Sequence, residues 1–491
     1  MKKILLWMLV VSMVVVFSMV GSLVGCKPAA EEEAVAPAEE EAAEEEAAPV
    51  EEETGESVNE AAFAKAYGYD LNLNLDDSLK GQYAGQSITV FCCTGEFAEP
   101  LQESIDAFEA LTGATVNLYI YTWDELNTKV ALALAGEEVM DISCVIGAFA
   151  KTFNSLGQIE NLTELSEQYG APSYNWDGFN PELMGRQSDS DGNVFAVPYQ
   201  LAEMMSFYRK DILEDEQIKT AYKEATGKDL VFPTTVDELY EVAKFFTKSE
   251  NVDSPTSYGF LSQGTESAAQ WSWLSRLGYY GGEMFGDNWE VKFSTDAVVK
   301  ALNFGKEILK YGPTNWNEYG FDEVNAMMAS GESLICENWN ASYSSINTGE
   351  MEGKIGCAPT VGNTPTISGW SLVINSFSEN KELAWKFIEF CTSEDGELTR
   401  IDNGLAPARD YNFNRLIDAG EDAEFYTALM ESIACKNTTW GDVTLPYLGT
   451  MGTNIIGTYT QKVYSGTMTA QEALDAMEAE INEALESVGY K

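Results

Sequence analysis

From residue 86 onward the apolar positions alternate between extended and helical spacing. Residues 87–92 (Ser-Ile-Thr-Val-Phe-Cys) are a run of β-formers and predict a buried strand. Over 99–111 the apolar residues Leu101, Ile105, Phe108 and Leu111 recur at helical intervals, and Gly113 follows as a stop. Residues 115–121 predict a second strand, 124–134 a helix stopped at Gly136, and 141–146 a third strand. Strands alternating with helices predict a parallel α/β sheet, whose ligands bind beyond the strand C-terminal ends. That rule points to the loops 94–97 and 147–149. Two extended segments follow, 194–199 and 204–208, and then a mainly helical stretch from 211 to 334. In it Thr234 or Thr235 caps a helix reaching Lys248, with Glu238 in its first turn, and 268–277, 296–311 and 321–329 also read as helices. Short strands are predicted at 333–336, 354–358 and 369–375. Helices are predicted at 381–391, with Leu383, Ala384, Phe387, Ile388 and Cys391 on one side, and at 470–485 after Thr469.

The first 25 residues follow another pattern. Lys2 and Lys3 precede an apolar run over 4–20, the layout of a secretory signal. The run is also long enough to cross a bilayer, so an uncleaved anchor is the alternative. Small residues Gly21, Ser22 and Gly25 leading into Cys26 resemble the bacterial lipoprotein box. That resemblance implies removal of residues 1–25 and lipid on Cys26. Residues 26–60 are Ala, Glu and Pro, which cannot bury enough surface to fold and extend by self-repulsion. The expectation is an acidic tether holding an exported body at the outer side of the cell membrane. A lead-in of unassigned role, 61–85, precedes the body at residue 86.

Composition narrows the chemistry. At 491 residues the chain accommodates two or three units, or one large two-lobed body. A net charge of -50 argues against nucleic acid, which needs a basic surface. The absence of histidine excludes Ser-His-Asp and Cys-His nucleophile systems and histidine-ligated zinc. Besides Cys26 there are Cys92, Cys93, Cys144, Cys336, Cys357, Cys391 and Cys435, none in a C-x-x-C pair. Buried free thiols are expected, with one or two disulfides left open, and no metal or cofactor. The stretch 189–193 (Asp-Ser-Asp-Gly-Asn) lacks the third acid and terminal Glu of a calcium loop and is read as a hairpin turn.

The order of motifs resembles that of substrate-binding lipoproteins of bacterial ABC importers, within the extracellular solute-binding family that includes maltose-binding protein. It covers nearly everything from 86 to the C-terminus. The strand-helix-strand over 88–116, the Ala135-Gly136 to Met140-Asp141-Ile142 step (Met140 in place of a usual Pro) and the Pro233-Thr234-Thr235 helix start match loosely. The stretch 192–199 (Gly-Asn-Val-Phe-Ala-Val-Pro-Tyr), running on to Phe207-Tyr208-Arg209-Lys210-Asp211, matches best. Residues 367–374 with 384–388, and Gly404 to Arg409, fit the late steps. The resemblance implies a two-lobed periplasmic-binding-protein fold, type II-like, with the ligand in a cleft between hinged lobes. Lobe 1 would comprise 86–200 and 357–410, and lobe 2 would comprise 201–356 and 411–491. The chain would cross near Gln200 and again over 357–360.

A sugar site combines aromatic platforms with a few placed polar groups, because sugar rings have apolar faces and polar edges. The expected ligand contacts are Trp339 and Trp370, then Trp271, with Glu96, Tyr199, Gln200, Asn338 and Arg409 as polar candidates. Arg409 could instead only pair with a carboxylate near the surface. Related sugar binders often carry an acid where this chain has Ala202; Glu203 is one step along and faces the other way unless a bulge turns it. The implied function is reversible capture of a mono- or oligosaccharide by a monomeric, non-enzymatic protein that delivers it to a membrane permease. The rivals are an exported carboxylate-pair glycosidase and a surface or sensor binding protein of the same fold.

Overall fold

The computed structural model describes residues 79–94, 98–172, 174–286, 290–402, 405–420, 422–435 and 452–487. The signal, Cys26, the tether, most of the lead-in and Glu96 lie outside the described residues. The described body starts at Leu79 rather than at residue 86. Leu79 and Tyr83 are buried, Gly81 N donates to Leu111 O (2.9 Å), and Tyr83 Oη donates to Glu382 (2.9 Å). This end of the lead-in is therefore part of the fold.

Eight strands form one sheet in the order β2-β1-β3-β8-β4-β6-β5, with β7 pairing β4. They are β1 (Ser87–Cys93), β2 (Thr115–Tyr121), β3 (Ile142–Ile146), β4 (Val197–Arg209), β5 (Tyr258–Ser262), β6 (Ser333–Trp339), β7 (Ile355–Pro359) and β8 (Ile367–Ile374). The parallel expectation holds for β1 with β2 and β3, and for β5 with β6. Around β4 and β8 the pairing is antiparallel, so the sheet is mixed. The two extended segments expected near 194–208 are one strand. Its first half, Val197–Glu203, pairs with β8, and its second half, Met204–Arg209, pairs with β6 and β7. The partners change between Glu203 and Met204, beyond Gln200. β7 lies with the second half, so the return passage is the segment 360–366 after it.

Helices cover the sheet where the sequence period is 3.6. The helix Val236–Phe245 starts on Thr235, whose side chain accepts from Glu238 N while Glu238 caps back. It ends before Lys248, and β5 lies against it so closely that a Cβ on Gly259 would meet Ala243 O at 1.9 Å. The helix expected over 268–277 contracts to Trp271–Leu274. The helices Phe321–Ala329 and Lys381–Thr392 lie where expected. Asp189 accepts from Asp191 N and Asn193 N in a turn with Gly192 at φ 85°, the hairpin rather than a calcium loop. All seven described cysteines are free, and Cys435 alone among them is not buried. Among the described residues no helix is long and apolar enough to cross a membrane.

Candidate functional site

The site is set by strand alternation about the middle of β4. Directly paired residues share a sheet face. Gln200 pairs with Trp370, Ala202 with Ser368, and Met204 with Trp339. These six side chains thus form one row on one face. Trp339, Trp370, Ser368 and Ala202 are partly exposed, whereas Gln200 and Met204 are buried. Trp271, from the short helix Trp271–Leu274, meets Trp339 edge-to-face with ring centroids 5.2 Å apart. Gln200 and Met204 are four residues apart, about 13 Å along a strand. The two tryptophan groups therefore flank the strand's midpoint, with the small Ala202 between them.

The row continues across β3. Ile146 pairs with Trp370, and at Gly147, the next residue, a Cβ would run into the Gln187 amide. Gln187 and Gln200 are 4% and 1% exposed, and the side-chain carbonyl oxygen of each has no hydrogen-bond partner among the described residues. A buried, unmatched acceptor costs about 1–3 kcal/mol, so the Gln200 oxygen, on the residue paired with Trp370, marks a place prepared for a donor from a bound molecule or water. Gln200 was expected from the sequence. Gln187 was not, because only the close approach at Gly147 ties it to the end of β3.

Asn338 and Arg409 are engaged within the protein, whereas the buried Tyr199 hydroxyl has no hydrogen-bond partner among the described residues. Asn338 points to the opposite face from Trp339. Its Nδ2 donates to Asn325 (2.9 Å), and its Oδ1 accepts from Gln263 Nε2 (2.6 Å) and Trp339 N (3.0 Å). Tyr199 is fully buried with Arg400 Cζ 4.1 Å from its ring centroid, and burial raises its pKa well above the usual value. Arg409 does not reach the surface and, among the described residues, has no ion pair with a carboxylate. It is fully buried, donates to Thr392 O and Asn175 O (2.8 Å each), and lies 3.8 Å over the Phe179 ring.

β4 does carry a register irregularity, between Pro198 and Gln200. It does not bring Glu203 onto the aromatic face. Glu203 lies with Met205 and Phe207 on the side of the helix Ala423–Ile433 and is fully buried. Burial pushes its pKa well above 4.5; the Ser432 hydroxyl and the Arg186 guanidinium act the other way and offset only part of it. Among the described residues no group of three or more Cys, Asp or Glu could hold a metal ion.

Known proteins resemble this chain in sequence and in fold. The chain is 24% identical over 347 residues to the diacetylchitobiose binding protein DasA of Streptomyces coelicolor, 67% of this chain and 74% of that protein. It is 25% identical over 330 residues to the mannitol-binding protein of Pseudomonas aeruginosa, 61% of this chain and 71% of that protein. Among solved structures, maltose-bound MalE3 of T. maritima superposes with a TM-score of 0.68 at 23% identity, covering 81% of this chain and 100% of that one. A solute binding protein of Agrobacterium radiobacter in complex with ribitol gives 0.69 at 20%, covering 82% and 99%. The architecture is that of the two-lobed periplasmic binding proteins. The model of the bacterial extracellular solute-binding proteins matches residues 94–398, and the chain belongs to that family.

Proposed function

We propose that the protein reversibly captures a neutral carbohydrate or polyol against the row Trp370–Gln200–Ala202–Trp339 and presents it to the membrane permease of an ABC importer. One observation carries the reading: the buried amide oxygen of Gln200, whose strand partner is Trp370, is left without a hydrogen-bond partner among the described residues. A hydroxyl group supplies the missing donor, and indole faces suit the apolar face of a sugar or the carbon chain of a polyol. Arg276, five residues after Trp271, is spent on Glu337, which favours an uncharged solute beside the Trp271–Trp339 pair. Relatives named for diacetylchitobiose and mannitol, and structures with maltose and ribitol, agree in ligand class.

The halves of the sheet on either side of Glu203–Met204 would act as lobes, hinged there and at 360–366, so that solute closes one on the other. Binding without chemistry suffices for this role, in a monomer tethered by lipid on Cys26 at the outer face of the membrane. Calorimetric titration with ribitol, D-mannitol, maltose and diacetylchitobiose tests it. Heat of binding from at least one, reduced in Gln200→Ala and Trp370→Ala, supports the reading. Binding of amino acids or peptides instead, or turnover of a glycoside, overturns it.

A further inference from the structure

Behind the Trp271–Trp339 pair lies a second pair, one member on β6 and the other just past the helix Trp271–Leu274. Glu337 is two residues before Trp339 on β6, so both side chains leave the same face of that strand. Arg276 follows Trp271 by five residues. The Arg276 guanidinium donates through Nη2 to Glu337 Oε1, and both side chains are fully buried. Arg276 Cζ also lies 4.6 Å over the Phe304 ring.

The acceptor oxygen has more than one task. Glu337 Oε1 also accepts from Ser206 Oγ on β4 (3.2 Å) and from Val361 N in the return passage (3.3 Å). One carboxylate oxygen thus joins the tryptophan-bearing segment 271–276, the crossing strand and the segment 360–366. The neighbour of Arg276 repeats the tie. Ser275 O accepts from Thr364 Oγ1, and Ser275 Oγ lies 3.1 Å from Thr366 Oγ1.

A buried ion pair is weak evidence of stabilisation, because desolvating two charges offsets most of their attraction. An apolar filling would serve the core as well. What it would not supply is a directional link between the 271–276 segment and β6. We infer that Arg276 and Glu337 are positioning residues: they fix Trp271 against Trp339 and fasten that aromatic wall to the crossing segment. The wall and residues 361–366 then move as one body when the halves of the sheet close. The inference rests on the proposed solute site, yet the geometry of the indole pair can be read without solute.

The test is the double variant R276M/E337Q in the full chain. The Glu337→Gln change keeps an acceptor for Ser206 and Val361, and the Arg276→Met change fills the volume of the arginine stem, so only the link to 271–276 is cut. Two indoles in contact give an exciton couplet in circular dichroism. The wild-type minus Trp271→Phe difference isolates the couplet of this pair from the other tryptophans. The expected result is a cooperative melt close to wild type, a collapsed couplet, and affinity for D-mannitol and maltose lower by about tenfold. Arg276→Met alone, which strands the carboxylate, is expected to lose the couplet and also to melt lower. If the double variant keeps both the couplet and wild-type affinity, the pair is only core filling and the inference fails. If wild type binds neither probe, the proposed function is in question, while the couplet alone still decides whether the pair sets the indoles.

Discussion

Replacing Glu203 by Gln isolates one titration at the point where β4 changes partners. Glu203 is fully buried, and burial, opposed by Ser432 and Arg186, holds its pKa well above 4.5. The sign follows from linkage. The folded state grips this proton more tightly than the unfolded chain, so the contribution of Glu203 to stability is greatest at low pH. It falls as pH rises from about 4.5 toward the folded-state value. Within that window one proton corresponds to about 1.4 kcal/mol per pH unit. Gln cannot titrate and keeps the size of the side chain. The stability of E203Q relative to wild type is therefore expected to rise with pH above about 4.5, with a slope of at most about 1.4 kcal/mol per pH unit, until the folded-state value is passed. Asp395, also raised by burial, titrates in both proteins and cancels in the comparison. Urea unfolding at constant ionic strength, followed by tryptophan emission, measures the difference. Parallel pH profiles for the two proteins would refute the reasoning, because they would mean that Glu203 is ionised in the fold at the same pH as in the unfolded chain.

Other predictions separate site from scaffold. Trp339→Ala should abolish measurable binding of the best solute in calorimetry and leave a cooperative melt. Arg409→Leu leaves the carbonyls of Thr392 and Asn175 unmatched and should cost about 2–3 kcal/mol in urea unfolding, with the affinity of the remaining folded protein unchanged. Thr235→Ala removes the cap of the helix Val236–Phe245 and should cost about 1 kcal/mol by the same measurement. Cys435, half-exposed with its pKa raised to about 11 by burial, should react with a thiol reagent in the folded protein before the six buried cysteines do, as read by mass spectrometry.

Local signals were legible where local physics decides the structure. β2 was read at its bounds because its apolar residues stand between turn signals, and Phe321–Ala329 because its apolar period is unbroken. β4 read as two pieces because Gln200 and Glu203 interrupt its apolar run just before it passes from β8 to β6. β5 was missed inside a helical stretch, being five residues long with a glycine that serves a close approach. For the site, the tryptophans stand out by residue type, and the family resemblance orders them. That Trp271 touches Trp339, or that Gln187 lies beside Gly147, depends on contacts between distant segments. Arg409 misled for the same reason, since its carbonyl partners lie 17 and 234 residues away.

The most direct test of solute capture at the middle of β4 is isothermal calorimetry of the purified protein against ribitol, D-mannitol, maltose and diacetylchitobiose, repeated with Trp370→Ala and Gln200→Ala. The account predicts saturable binding of one of these neutral solutes, strongly weakened in both variants while their melting temperatures stay near wild type. Undiminished binding in both variants would contradict it, because the solute would then rest elsewhere on the molecule.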